Sequence, residues 1–197
     1  MARHPHKVNG VQGSTPCPAI RSYSDTGVHT CLVNKKYRFD PDWELMKDEV
    51  KEAAKFAIEA HGGQRYGERT PYAYHLALTY QNAKRFSGST NEQMAAWLHD
   101  VVEDTSVTLA DVQKRFGYSV AHIIDLVTNT GSKEATYKRI RTSQHAVFVK
   151  LCDRLANIMS GSKNDMYKKQ QPLFKSILYR KGEFENLWQA IDKHLGS

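Results

Sequence analysis

No stretch of this sequence approaches the ~18 consecutive apolar residues needed to cross a bilayer, so a membrane protein is not expected. Behind the basic start Met1-Ala2-Arg3-His4-Pro5-His6-Lys7 there is none of the apolar segment that a secretory signal requires. Cysteine is scarce as well. Cys17, Cys31 and Cys152 form neither an even disulfide framework nor a Cys-x-x-Cys pair, so reduced thiols and a cytoplasmic location are expected. Also missing are internal repeats and the succession of alternating apolar and polar residues that would mark strands. No dense basic tract interleaved with aromatics is present either, which argues against a nucleic-acid partner. The net charge of +7 is dispersed, and it favours encounter with anions such as phosphorylated small molecules. What the chain does hold is 40% apolar and 10% aromatic residues over 197 positions, enough to bury the core of one domain.

Residues 1–39 are interrupted by Gly10, Gly13, Pro16, Pro18 and Gly27 and show no apolar periodicity, so an irregular N-terminal arm is expected there, with a helical domain over 40–197. Asp40, Pro41, Asp42 and Glu44 are suited to a helix start. Met46, Val50, Ala53, Ala57 and Ala60 then recur at helical spacing until Gly62-Gly63. After a polar, turn-rich stretch from Gln64 to Thr70, Pro71 opens a second helix through about Phe86. A capping box of Thr90 and Gln93 starts a third, and Thr108 caps a fourth that ends before Gly117. Further helices are expected over Val120–Val127, Tyr137–Gln144 and Ala146–Ser160, with weaker ones over Leu173–Tyr179 and Phe184–Leu195. The fold class that follows is all-α.

One octet concentrates ionisable groups in an apolar setting: Leu98-His99-Asp100-Val101-Val102-Glu103-Asp104-Thr105. On a helix His99 and Glu103 share a side, as do Asp100 and Asp104, so both ridges can face one pocket. Burying such groups uncompensated costs on the order of several kcal/mol each, and a divalent cation is one way to offset it. The alternative is a helix that ends near Glu103 with solvated acids. His75, in Thr70-Pro71-Tyr72-Ala73-Tyr74-His75, adds a second imidazole one turn into a helix. In the apolar segment Val149-Lys150-Leu151-Cys152-Asp153-Arg154-Leu155-Ala156-Asn157, Lys150, Asp153 and Asn157 make one polar stripe.

The ordered motifs PYxxH, LHDVVEDT and KLxDRLxN resemble the HD-domain phosphohydrolases, and specifically the hydrolase domain of the RelA/SpoT alarmone enzymes and their small single-domain metazoan relatives, over about residues 44–160. The resemblance implies an HD-type helical bundle in which His75, His99, Asp100 and Asp153 ligate one divalent cation, most readily manganese. It makes Glu103 and Asp104 the acidic pair that orients or deprotonates the attacking water, a solvated helix end being the alternative. Arg65, ten residues before His75, corresponds to the family's basic residue ahead of PYxxH, at a spacing one longer than usual. Glu68 and Arg69 share its loop, and ordinary surface charge is their alternative. Asn157 matches a substrate-positioning asparagine. Arg154 reaches either acids or phosphate, and Lys150 is a further substrate contact. Lys138, Arg139 and Arg141 form either a phosphate-facing rim or a solvated basic face.

Two positions depart from the pattern. Leu76 follows the PYxxH histidine where proline is common, and Met159 and Ser160 stand where the alarmone hydrolases carry arginine and threonine near the nucleotide. The second change weakens the case for guanosine tetraphosphate in particular. The implied activity is hydrolysis of (p)ppGpp at the 3′-diphosphate with release of pyrophosphate, in the degrading direction only, since no synthetase-like region accompanies the motifs. Another nucleotide substrate (a deoxynucleotide, a cyclic nucleotide or NADPH) and a noncatalytic nucleotide sensor are the alternatives. A homo-oligomer stays open.

Overall fold

The computed structural model describes residues 45–67, 70–161 and 163–196. The expected arm over 1–39, the boundary and helix start at Asp40, Cys17 and Cys31, and Glu68 and Arg69 lie outside the described residues. Helix α1 spans Asp48–His61, with Asp48 and Glu49 at the positive end of its dipole. It does not run back through Met46. Lys47 is extended at φ −64° and ψ 147°, and its Nζ donates to Thr90 Oγ1 at 2.8 Å. Val50, Ala53, Ala54, Ala57 and Ile58 bury one face, and Gly62 ends the helix at a positive φ of 50°.

The turn-rich stretch that follows contains a two-stranded antiparallel ribbon, β1 (Arg65–Tyr66) and β2 (Thr70–Pro71), with Arg65 opposite Pro71 and Tyr66 opposite Thr70. Strands of two residues leave no periodicity to read, which is why the all-α expectation passed over them. Pro71 leads directly into α2 (Tyr72–Arg85), whose first turn tolerates the missing N–H. α3 (Thr90–Leu98) is capped one residue earlier than expected. Ser89 Oγ accepts from the Glu92 N–H, and Glu92 accepts from the Ser89 N–H at 2.6 Å, while Gln93 turns away to the Gly88 carbonyl.

The helix expected to carry the whole octet breaks in its middle. α3 ends at Leu98, a turn at His99-Asp100 intervenes, and a short α4 (Val101–Asp104) follows. α5 (Leu109–Phe116) opens on the expected Thr108 cap, completed by Asp111, and α6 covers Tyr118–Val127. α7 covers Lys133–Ile140 rather than Tyr137–Gln144, because Ser132 caps it and Ser143 caps the next helix. α8 (Gln144–Met159), α9 (Asn164–Leu178) and α10 (Glu185–Leu195) complete the described chain. α9 is twice the expected length. Pro172 lies inside it, and its buried stripe of Gln171, Phe174 and Leu178 is set in a polar sequence.

α2, α3 and α8 form the centre. α2 packs on α8 and α3, α1 covers α3, and α6 and α10 close against α8. All five residues from Met94 to Leu98 are buried, as is α8 from Ala146 to Ala156 apart from Lys150. Segments buried on nearly every side belong to core helices. Asn82 of α2 adds a buried cross-tie, donating to the Cys152 carbonyl of α8 at 3.1 Å. Among the described residues no helix is long and apolar enough to cross a membrane.

Candidate metal centre

Each of the central helices delivers one part of a single cluster. α2 supplies His75 from its first turn, the α3–α4 joint supplies His99 and Asp100, and α8 supplies Asp153. His75 Nε2 and His99 Nε2 are 3.1 Å apart. Asp100 Oδ2 lies 3.0 Å from His99 Nε2 and 3.5 Å from His75 Nε2, and Asp153 Oδ1 lies 3.6 and 3.3 Å from the same atoms. The ligand atoms of His75, His99 and Asp153 all fall within 4.8 Å of one another, on residues that are each buried.

The electrostatics of the cluster call for positive charge at its centre. Burial disfavours a charged His99, yet the Asp100 carboxylate beside it prevails and pushes the imidazole up to about 10. His75 is raised in the same sense, burial being outweighed by Asp100 and Asp153. Against the opposing effect of burial, the His99 charge holds Asp100, and the Lys150 ammonium holds Asp153, well below the usual carboxylate range. Two imidazole nitrogens and the Asp153 carboxylate gathered about one point, with Asp100 beside the imidazoles, suit a divalent transition-metal ion. His99 is already oriented for this, because its Nδ1–H donates to the Ala96 carbonyl at 2.9 Å and leaves Nε2 facing inward. The described His75, His99 and Asp153 are thus able to hold a metal.

A second layer supports the first. Lys150 Nζ donates to Asp153 Oδ2 at 2.8 Å, and Asn157 Nδ2 donates to the Asp153 backbone carbonyl at 3.0 Å and to its Oδ1. The Tyr72 hydroxyl lies between two carboxylates, 2.6 Å from Asp100 Oδ2 and 2.8 Å from Asp104 Oδ2, and its one proton serves one of them at a time. Burial and the neighbouring Asp100 charge keep that phenol protonated. Behind it the ring of His61 stacks at 4.5 Å.

The cluster floors a cleft of about 510 Å³, a size suited to a small-molecule ligand. Glu103 and Asp104 stand at its mouth, both exposed. Glu103 Oε2 accepts the Asn129 N–H at 2.9 Å, which clips the loop over 128–132 to α4. Partial desolvation at the cleft raises its carboxyl from the ordinary glutamate value, against the lowering effect of that hydrogen bond. Arg65, Lys150, Arg154 and Asn157 line the same cleft. Arg154, however, is committed inward. Its guanidinium sits 4.5 Å from the centres of both the Tyr167 and Phe174 rings and donates to the Tyr167 carbonyl and to the side-chain oxygens of Gln170 and Gln171, so it braces α9 against α8.

Lys138 and Arg141 are not brought to the cleft. Lys138 pairs with Glu134 on the outer face of α7 at 2.7 Å, and Arg141 donates to the Ile177 carbonyl. Arg139 likewise turns to Asp125 and Thr130. The cations that do reach the rim without having been singled out are Lys133 and Lys163. Sequence reasoning also passed over Tyr66 and His61. Tyr66 meets Asn157, a residue 91 positions away, and no local pattern signals such a pairing.

A family model described as the HD domain matches residues 53–146, a span that includes His75, His99 and Asp100 but stops before Asp153. The chain is 36% identical over 120 residues to guanosine-3′,5′-bis(diphosphate) 3′-pyrophosphohydrolase MESH1 of Xenopus tropicalis, covering 55% of this chain and 67% of that protein. It is 31% identical over 121 residues to guanosine-3′,5′-bis(diphosphate) 3′-pyrophosphohydrolase of Aquifex aeolicus, of which it spans only 17%. Among solved structures, a metazoan ortholog of SpoT described as hydrolysing ppGpp superposes with a TM-score of 0.66 at 25% identity, covering 77% of this chain and 96% of that one. With the helical architecture, the convergent His/His/Asp group and the two-thirds coverage of the Xenopus relative in agreement, the chain belongs to the HD-domain family of the MESH1 and SpoT hydrolases.

Proposed function

We propose that this chain is a divalent-metal-dependent nucleotide phosphohydrolase that acts on (p)ppGpp and releases pyrophosphate from its 3′ position. The observation that carries the reading is the convergence of His75, His99, Asp100 and Asp153 beneath a cleft of small-molecule size with a carboxylate pair at its mouth. The names of the relatives direct it to the substrate. Manganese suits the mixed imidazole and carboxylate donors, and a cytoplasmic setting suits a free nucleotide substrate.

When bound, the cation supplies neutralisation of phosphate charge and acidification of a water. Everything else falls to the chain. Lys150 and Asn157 hold Asp153 in place from α8. Glu103 takes the proton of the attacking water, a task suited by its raised carboxyl. Asp104, next to Asp100 across the Tyr72 hydroxyl, orients that water. As the new bond from water oxygen to phosphorus forms, the bond from phosphorus to the ribose 3′-oxygen breaks. That oxygen takes up a proton, leaving guanosine 5′-di- or triphosphate. Arg65, Lys133 and Lys163 at the rim offset the charge of the substrate phosphates.

Incubation of manganese-loaded protein with ppGpp, deoxynucleoside triphosphates, cyclic nucleotides and NADPH, with chromatographic resolution of products, tests this reading. Pyrophosphate from ppGpp is expected, and Asp100→Ala and Asp153→Ala abolish it. Undiminished turnover by metal-stripped Asp153→Ala protein would defeat the mechanism. Survival of ppGpp alongside cleavage of another nucleotide would defeat the substrate assignment alone.

A further inference from the structure

Three of the four metal-facing residues take a hydrogen bond from or give one to a group outside the cluster, and His75 does not do so at its outer nitrogen. His99 has the Ala96 carbonyl on Nδ1, Asp100 has the Tyr72 hydroxyl, and Asp153 has Lys150 and Asn157. His75 Nδ1 is buried without a hydrogen-bond partner. A ligating histidine whose outer nitrogen is unheld has nothing polar to fix its ring plane. Packing has to do it instead, and the group in place is Tyr66. Its ring stacks on the His75 imidazole, with centroids 4.9 Å apart and planes 5° from parallel, while Tyr72 meets the same imidazole edge-on at 5.7 Å.

The other end of Tyr66 acts on a second ligand. Its hydroxyl donates to Asn157 Oδ1 at 2.6 Å and lies 3.2 Å from Ser160 Oγ. An asparagine whose oxygen is engaged in this way must turn its NH₂ group the opposite way. In Asn157 that direction leads to Asp153, whose backbone carbonyl and Oδ1 receive it. The ribbon ties Tyr66 to the start of α2, because Tyr66 pairs with Thr70 and Pro71 leads into that helix one turn before His75.

We infer that Tyr66 is a positioning residue of the metal centre, its ring setting the plane of His75 and its hydroxyl setting the amide of Asn157 and through it Asp153, an inference that rests on the divalent-metal reading of the site. Tyr66 is not among the expected ligands. It joins two of them, carried on different helices, from outside both.

The test is Mn²⁺ titration of metal-stripped protein by calorimetry, for the wild type, Tyr66→Phe and Tyr66→Leu, with the melting temperature of each metal-free protein recorded. Loss of an outer-layer partner commonly weakens metal affinity by about 10–100-fold. Tyr66→Phe keeps the stacked ring and is expected at the lower end of that range, and Tyr66→Leu at the upper. In the metal-free state Tyr66→Phe melts within about 4 °C of wild type, as loss of one half-exposed hydrogen bond allows. With Mn²⁺ saturating, the KM for ppGpp of Tyr66→Phe is unchanged. In an Asn157→Ala background the Phe substitution costs no further affinity, because the hydroxyl then has no amide to set. Mn²⁺ affinity of Tyr66→Phe within about twofold of wild type overturns the inference. So does a raised KM with unaltered Mn²⁺ affinity, which would make Tyr66 a substrate contact. Failure of the wild type to bind Mn²⁺ instead brings down the metal reading itself.

Discussion

Two carboxylates three residues apart face different tasks because their surroundings differ. Asp100 is drawn into the cluster by His99, while Glu103 stands at the cleft mouth with its carboxyl raised by partial burial. Glu103→Gln is therefore expected to retain Mn²⁺ and to lose about 10²–10⁴-fold in kcat, the usual span for a lost general base. Loss of metal in the same titration would move Glu103 into the ligand set. The pH profile carries the sign. A base must be ionised to accept a proton, and a raised pKa delays ionisation, so the acid limb of kcat/KM in the wild type falls at a higher pH than a free glutamate gives. An acid limb at or below the ordinary glutamate range would rule out Glu103 as that base. The ligand candidates were legible in the sequence because ionisable residues in apolar helical runs are conspicuous. Tyr66 was not, since its partners Asn157 and His75 are set by tertiary contact and a tyrosine in a turn-rich segment carries no signal. Lys138 and Arg141 look as cationic as Lys133 in sequence, and only their positions on α7 and at its end decide which cation reaches the cleft.

At the level of elements, helices with a simple apolar stripe or a strong cap were readable: α5 from its Thr108 cap, α8 from its apolar run. The break between α3 and α4 was hidden, because Leu98 to Val102 reads as part of one apolar helix once His99 and Asp100 are taken as facing a pocket. α7 was misplaced where two serines, Ser132 and Ser143, compete as helix starts, and α9 reaches back to Asn164 through a polar stretch with no apolar stripe to read. The entry to α3 is tightly built. A Cβ placed on Gly88 would lie 2.6 Å from the Phe148 ring and 2.9 Å from the Ala83 carbonyl. Gly88→Ala is expected to destabilise the protein by about 1–3 kcal/mol, the cost of overpacking, and Ser89→Ala by about 1 kcal/mol through loss of the capping box. Chemical denaturation measures both, and a neutral Gly88→Ala would show that Phe148 moves aside freely.

For the molecule as a whole, the cluster joins residues of α2, the α3–α4 joint and α8, so a bound cation and the folded state stabilise each other. At a Mn²⁺ concentration of about 100 times Kd this linkage contributes about 2.7 kcal/mol, a rise of roughly 5–10 °C in melting temperature for a chain of this size. Asp153→Ala is expected to abolish the rise, and a rise that persists in that variant would place the cation elsewhere. The joint at His99-Asp100 bears on whether this chemistry can be moved to another scaffold. On an uninterrupted helix consecutive side chains fan out by about 100°, whereas here the turn brings His99 Nε2 and Asp100 Oδ2 to 3.0 Å. A His-Asp dipeptide grafted onto a straight helix would leave one of its two groups facing away. The portable unit is the bend together with the two helices that face it, and a designer who copies only the letters copies none of the geometry.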